Sequence, residues 1–136
     1  MNFIPTNDTD DDDEKTEIII NDFRLYEQSI KENIEYDFLI RKYDAELVRE
    51  LVACILDVVC AQDETVKIGR EKKSRDMVRS VYLKLTSEDI GHVIERYESV
   101  RHKVTRLHSY LKTMLFTVKQ EYGHFYANAV RADGVV

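Results

Sequence analysis

The sequence predicts a mainly α-helical protein, a compact bundle of about five to six helices with one short β-hairpin insertion. Over most of the chain, apolar residues recur at spacings of three and four, which brings them onto one face of a helix. The 136 residues include four glycines and one proline, too few for the many turns of a sandwich or barrel. A chain of this length has room for one hydrophobic core.

Residues 1–17 read MNFIPTNDTDDDDEKTE. They combine few core-forming side chains with a run of like charge, so we expect a disordered acidic linker there and a single helical domain over residues 18–136. The aspartates also invite comparison with an EF-hand calcium loop. A loop that began at Asp8 would have Asp13 in place of the glycine and Ile19 in place of the bidentate glutamate, so no calcium ion is expected.

Two helical segments are predicted next, NDFRLYEQSIKENI and EYDFLIRKY. The segment DAELVRELVACILDVVCAQ then gives the strongest helical pattern in the chain, with Asp44 as its N-cap. It is apolar almost all round and is therefore expected to be central and buried. The expected inward side chains are Phe23, Tyr26, Ile30 and Ile34 in the first segment, and Leu47, Val48, Leu51, Val52, Ile55, Leu56, Val58, Val59 and Cys60 in the central helix.

The cysteine pair lies within that central segment. Cys54 and Cys60 are six residues apart, which corresponds to about 9 Å along a helix axis, whereas disulfide Cα atoms lie within about 7 Å. Both are therefore expected to be free thiols that pack as small hydrophobic side chains.

The hairpin is predicted from TVKI, which is β-branched and alternating, followed by Gly69 as a turn residue and a second strand near residues 70–73. Either Ser74 or Asp76 then caps the helix MVRSVYLKL. Its apolar stripe is expected to be Met77, Val78, Val81 and Leu85.

Two longer helical patterns complete the chain. Ser87 is the expected N-cap of SEDIGHVIERYESVRHK, because acidic residues follow it in the first turn. VTRLHSYLKTMLFTVKQEY is expected to end at Gly123, with a short last helix in HFYANAVRA. The expected inward side chains are Ile90, Val93, Ile94 and Tyr97, then Leu107, Tyr110, Leu111, Met114, Leu115 and Val118.

The sequence lacks the motifs that are typical of several function classes. No apolar run approaches the roughly 18 residues of a membrane span and no signal peptide opens the chain, so a cytoplasmic protein without a membrane partner is expected. The four histidines stand in no HExxH or paired-cysteine motif, and there is no glycine-rich phosphate loop or GxSxG elbow. We therefore expect no enzymatic activity, no cofactor and no metal site.

Charge is divided unevenly along a chain whose net charge is −6. Residues 1–64 hold six Lys/Arg and 18 Asp/Glu, whereas residues 65–136 hold 14 Lys/Arg and eight Asp/Glu. Positive charge is densest around the predicted hairpin, which suggests a site for nucleic-acid phosphates or for an acidic protein partner. The alternative is a solvated hairpin whose lysines protect its edge from aggregation. The candidate binding residues are Lys67, Arg70, Lys72, Lys73, Arg75 and Arg79.

The eight tyrosines offer a second candidate signal, since aromatic rings form stacking platforms for single-stranded nucleic acid. Most of them fall on apolar helix faces. A ring packed in or at the rim of the core, with its hydroxyl at the edge, is therefore the expected arrangement.

Read together, IKENIEYDFL, ELVACILDVVC, TVKIG, VRSVYLKLTSEDIGHVIE, YLKTMLF and FYANAV resemble the C-terminal helical domain of RepA_N-type replication initiators from plasmids and conjugative transposons of Firmicutes. The resemblance implies a helical module that engages the host replication machinery, beside a winged-helix domain that recognises the origin. Residues 1–17 are too few for a winged helix, so sequence-specific origin recognition is not expected of these 136 residues.

The expected function is thus a non-enzymatic replication-initiator module of a mobile element. It would recruit a host replisome protein, such as a primase or helicase loader, and contact DNA non-specifically through the hairpin. The alternative is a structural dimerisation or regulatory domain that binds no nucleic acid, with YLKTMLF in the homodimer interface.

Overall fold

The predicted fold class is confirmed in a computed structural model that describes residues 5–132, with side chains described at 14, 15, 17 and 20–120. Within these residues the chain forms six α-helices and one two-stranded antiparallel sheet. A 3-10 turn, Arg101–Lys103, joins the last two helices. The elements are α1 (Pro5–Asn33), α2 (Tyr36–Lys42), α3 (Ala45–Val59), β1 (Thr65–Ile68), β2 (Glu71–Ser74), α4 (Arg75–Tyr82), α5 (Ser87–Val100) and α6 (Leu107–Ala132).

Helix α3 is the centre of the fold, as its all-round apolar pattern predicts. It packs against α1, α2, α4 and α6. Asp44 caps it as expected, because its carboxylate accepts a hydrogen bond of 3.0 Å from the backbone N–H of Glu46. The buried side chains of α3 are Leu47, Val48, Leu51, Val52, Cys54, Ile55, Leu56, Val58 and Val59.

The corner between α1 and α2 turns at Glu35, whose φ of 55° places it in the left-handed region. For a residue with a Cβ this conformation costs about 1 to 2 kcal/mol. Two long-range hydrogen bonds hold the corner in place. Ser87 Oγ donates to the Glu35 carboxylate at 2.5 Å, and the Asn33 side-chain amide donates to the Leu83 carbonyl at 3.1 Å.

The N-cap of helix α5 is Thr86, one residue before the predicted Ser87. Thr86 and Asp89 form a reciprocal capping box: Thr86 Oγ1 accepts from the Asp89 N–H, and Asp89 Oδ2 accepts from the Thr86 N–H at 2.9 Å. Asp89 is only 4% exposed. The Lys119 ammonium lies 2.7 Å from Asp89 Oδ2 and compensates the buried charge.

The predicted end of the last helix at Gly123 is wrong. α6 continues as one helix from Leu107 to Ala132, so HFYANAVRA is not a separate helix. One glycine within a helix costs about 1 kcal/mol relative to alanine, which does not end a long helix whose other residues favour it.

The acidic N-terminal segment is part of the first helix. Residues 5–17, predicted to be disordered, form the first turns of α1. Acidic residues near the N-terminus of a helix interact favourably with the helix dipole, and overall composition does not reflect this local effect. Residues 1–4 lie outside the described residues, as do the side chains of the aspartates compared with a calcium loop, and the domain boundary at residue 18 stays a prediction.

The core contains the predicted apolar stripes with two exceptions. Met77 is 44% exposed and Phe23 is 41% exposed. In α4 the buried position belongs instead to Tyr82, four residues after Val78 on the same stripe. Its hydroxyl donates a hydrogen bond of 2.6 Å to the Lys112 carbonyl, so the polar end of this buried ring is satisfied.

Both cysteines are free, as predicted. Cys54 is buried in α3, and Cys60 is half-buried at the end of that helix. Burial raises the pKa of the Cys54 thiol to about 11. Within the part of the chain that the structure describes, no helix has both the length and the apolar character needed to cross a membrane.

Removing side-chain volume from the centre of α3 is expected to destabilise the fold. Ile55→Ala leaves a cavity at a fully buried position and should lower the free energy of unfolding by about 2 to 5 kcal/mol. Urea denaturation followed by circular dichroism measures it. Glu95→Ala, at an exposed position of α5, is the control and should stay within about 0.5 kcal/mol of wild type.

The buried thiol also predicts a pH dependence. The pKa of Cys54 is raised in the folded state from 9.0 to about 11, so its contribution to stability is complete below pH 9 and is lost as pH rises towards 11. Cys54→Ala should therefore make stability fall less steeply over this range than in wild type. Cys60→Ala, which removes a half-buried thiol, should change the slope less, and identical slopes in all three proteins would contradict the assignment.

Candidate functional site

The hairpin places two lysines side by side on its outer face. In the antiparallel register Lys67 is opposite Lys72, and Val66 is opposite Lys73. Successive side chains of a strand alternate between faces, so Lys67 and Lys72 share one face and Val66 and Ile68 share the other. Ile68 is buried and Val66 packs against the core, whereas Lys67 and Lys72 are both exposed.

The hairpin loop brings a third cation to the end of this surface. Gly69 and Arg70 connect the strands, and Gly69 has a φ of 64°. A glycine with positive φ at the first position of a two-residue loop is typical of a type II′ turn, which matches the twist of the flanking strands. Arg70 is exposed at this loop. We call Lys67, Arg70 and Lys72 the hairpin triad.

Lys73, the fourth predicted site residue, faces inwards. Its ammonium lies 3.0 Å from the Glu71 carboxylate and 5.3 Å from the centre of the Phe116 ring in α6. These contacts fix the hairpin against α6 and partly neutralise the charge. Lys73 therefore contributes to hairpin packing more than to an outward-facing cationic surface.

The Arg75 side chain binds backbone carbonyls just beyond the end of α3. Its Nη1 donates to the carbonyls of Ala61 and Gln62 at 3.1 and 3.2 Å, and its Nη2 lies 3.1 Å from the Asp76 carboxylate. Ala61 and Gln62 follow the last residue of α3, so these hydrogen bonds hold the connection between α3 and β1. Arg75 thus closes the segment that follows α3.

Arg79 has a similar role one turn further along α4. Its Nε donates to the Val59 carbonyl at 2.9 Å, and its guanidinium lies 5.7 Å from the centre of the Tyr26 ring in α1. Asp76 is a more distant ion-pair partner, at 3.9 Å. The last turn of α3 itself contains no basic residue. That absence is the one sequence feature that could have indicated that Arg75 and Arg79 interact with this end of α3.

The structure therefore divides the six predicted site residues into two groups. Lys67, Arg70 and Lys72 lie together and point to solvent, whereas Lys73, Arg75 and Arg79 hold the hairpin and α4 against the rest of the fold. A concavity of about 450 Å³ at the hairpin base mixes both signs of charge, since Glu64 and Asp76 line it beside Lys72. The uniformly cationic surface is thus the outer face and loop.

The tyrosines lie mainly in or beside the core. Tyr82 is buried, and five others are half-buried. Tyr122 and Tyr126 lie outside the residues whose side chains are described. Among described aromatic rings, the exposed ones are Phe23 and Phe38, and neither is on the hairpin. The half-buried rings are Tyr26, Tyr36, Tyr43, Tyr97 and Tyr110.

The histidine and acidic side chains that the structure describes form no cluster suited to a metal. Among the described side chains, no group of three or more His, Cys, Asp or Glu residues is placed to hold an ion. His108 instead pairs with Glu50 at 2.6 Å, which links α6 to α3. His124 lies outside the described side chains.

Comparison with known families gives one match. The family described as "Family of unknown function (DUF6017)" matches residues 8–135. The chain belongs to this family. The DUF6017 match runs from α1 to α6 and includes the hairpin, so the hairpin triad lies within the unit that defines the family. No curated protein and no solved structure matches the chain.

Because Arg79 donates to the Val59 carbonyl, we expect its replacement to destabilise the fold, and we expect a lysine at this position to restore the stability only in part. Arg79→Ala removes a charged donor from a part-buried carbonyl and should lower the free energy of unfolding by about 1.5 to 3 kcal/mol. Arg79→Lys keeps the charge but loses the planar fork, and should recover only part of this loss. Chemical denaturation measures both. Lys72→Ala, at an exposed position, is the control, and an equal loss there would contradict the assignment.

Proposed function

We propose that this chain is a non-enzymatic binding module that contacts the phosphate backbone of DNA, without sequence preference, through the hairpin triad. The arrangement of Lys67 opposite Lys72 carries this proposal. Like charges directly opposite each other destabilise a strand pair. A nearby anion would remove that repulsion, and phosphates spaced along a nucleic-acid backbone provide such anions.

The position of the triad also favours DNA contact. Lys67, Arg70 and Lys72 have no ion-pair partner among the described side chains, in contrast to Lys73, Arg75 and Arg79. The hairpin beneath them is held by the burial of Ile68 and by the contact of Lys73 with Phe116. The three cations are therefore presented on a surface whose backbone is already ordered, which lowers the entropic cost of binding.

Duplex DNA fits this surface better than a single strand. Proteins that bind single strands without sequence preference combine cationic grooves with aromatic side chains on which the bases stack. No described aromatic side chain is exposed on the hairpin, since Phe116 lies beneath Lys73. A surface with cations but no stacking platform recognises the phosphates of a duplex.

The resemblance to RepA_N-type initiators supports a role in the replication of a mobile element. In that role the module would recruit a host replication protein, such as a primase or helicase loader, while the hairpin triad holds it on the DNA near the origin. The cytoplasm is the compartment in which we propose that it acts.

The test is fluorescence anisotropy with labelled duplex and single-stranded DNA over a series of salt concentrations. Three phosphate contacts should give a slope of about −3 in a plot of log affinity against log salt concentration. Lys67→Glu combined with Lys72→Glu should abolish binding at low salt. Because both side chains are exposed, the thermal unfolding midpoint should stay close to that of wild type.

A matched control separates the hairpin from net charge. Arg41→Glu combined with Lys84→Glu changes the net charge by the same amount at two exposed positions outside the hairpin, and it should retain most of the affinity. Equal losses in the two double variants would show that only overall charge matters. Absence of binding by wild type at low salt would overturn the proposal.

A further inference from the structure

A groove between α1 and α3 lies apart from the hairpin triad and has no assigned occupant. It has a volume of about 780 Å³. Its apolar surface comes from Phe23 on α1 and from Val52, Leu56 and Cys60 on α3. From Arg49 to Cys60 the α3 wall rises about 17 Å, which is about three turns of a helix. A groove of this length between two helices suits a third helix.

The two ends of the groove carry opposite charge. Arg49 lies at one end, and Asp63 lies at the other, beyond Cys60. Both are exposed, and neither has an ion-pair partner among the described side chains. Helix α1 runs along the groove with its residues 22–23 at the Cys60 end, because Asp22 and Phe23 line a small pocket together with Cys60. Lys31 also lines the groove, and it lies eight residues further along α1, so it is nearer to the Arg49 end.

Helix α1 itself has apolar side chains that the core does not cover. Tyr26 is the first described side chain of α1 that packs on the core. Before it, Ile20 and Phe23 are exposed by 43% and 41%. They are three residues apart and therefore lie on one face of α1, the face that contributes Phe23 to the groove.

We propose that the occupant is α1 of a second copy of this chain, in a symmetric dimer with the two α1 helices antiparallel. Charge complementarity along the groove selects this occupant. On α1, Glu14 and Glu17 precede the exposed apolar residues and Arg24 follows them, and all three are exposed. An antiparallel partner helix brings its Glu17 towards Arg49 and its Arg24 towards Asp63.

The register that follows is self-consistent. Suppose that the partner's Ile20 lies opposite Glu27, at the middle of the groove. In this antiparallel register, Phe23 of each copy lies opposite Arg24 of the other copy. The two-fold axis then passes beside Phe23, and the exposed Ile20 and Phe23 of both copies are buried together. Each copy uses the same surface as donor and acceptor, as a two-fold interface requires.

This interface differs from the one that the sequence predicted for a dimer. Leu111 and Leu115 of YLKTMLF are fully buried in the chain's own core. Residues 110–116 are all buried or half-buried, so this segment of α6 offers little surface to a second copy. The N-terminal part of α1 offers more.

Sedimentation-equilibrium or light-scattering measurements on the full chain test the proposal. Wild type should be a dimer at micromolar concentration. Ile20→Glu combined with Phe23→Glu should raise the dimer dissociation constant by more than about 100-fold, because each substitution acts twice in a symmetric interface. Leu25→Glu is the matched control, since Leu25 is 65% exposed on the opposite side of α1 and should leave the dimer intact.

A charge exchange tests the register independently. Arg49→Glu and Glu17→Lys should each weaken the dimer, and the two together should restore it, because the repulsive pairs become attractive again. A wild-type monomer at all accessible concentrations would overturn the proposal and leave the groove to a helix of another protein. A dimer that survives the Ile20/Phe23 double substitution, or a charge exchange without rescue, would also overturn it.

Discussion

The fold depends on the burial of α3 on nearly all of its sides. Nine of its fifteen residues are buried, and no single neighbour covers them. Helices α1, α2, α4 and α6 each cover part of this surface. The architecture therefore follows from one requirement, that enough helices gather around α3 to cover its apolar sides, while the face that carries Arg49 and Asp57 stays exposed along the groove. The shortness of α2 and α4 is compatible with this, since each needs to cover only a small part.

Burial of α3 creates a second requirement at its C-terminal end. The last carbonyls of a helix have no partner within it, and the Val59 carbonyl is in a part-buried position. Arg79 in α4 donates to the Val59 carbonyl, and Arg75 in α4 donates to the Ala61 and Gln62 carbonyls just beyond the helix. The hairpin between α3 and α4 reverses the chain so that α4 can return to this end. Within the basic segment, Arg75 and Arg79 thus stabilise the fold, whereas the hairpin triad is exposed on the outer face of the hairpin.

The sequence alone predicted the helical class, the hairpin, the Asp44 cap, the Ser74 cap as one of two candidates, and most core positions. These features depend on local periodicity and local hydrogen bonds. Two of its failures were local, the Ser87 cap and the helix end at Gly123, and others came from long-range contacts. The exposure of Met77 follows from the orientation of α4 that buries Tyr82, and the division of the six cations follows from which carbonyls lie nearby. No local pattern contains the Arg79 contact with Val59, twenty residues earlier in the chain.

The guanidinium contacts have a consequence for native-state motion. The Arg75 N–H donates to the Glu64 carbonyl, and the Arg75 and Arg79 side chains hold carbonyls from Val59 to Gln62. These hydrogen bonds couple the opening of the last turn of α3, the hairpin base and the start of α4. Their amide hydrogens should exchange with solvent as one cooperative unit with a shared opening free energy. The surface that carries Lys67 and Lys72 is thus a rigid extension of the core, despite its position on an excursion from it.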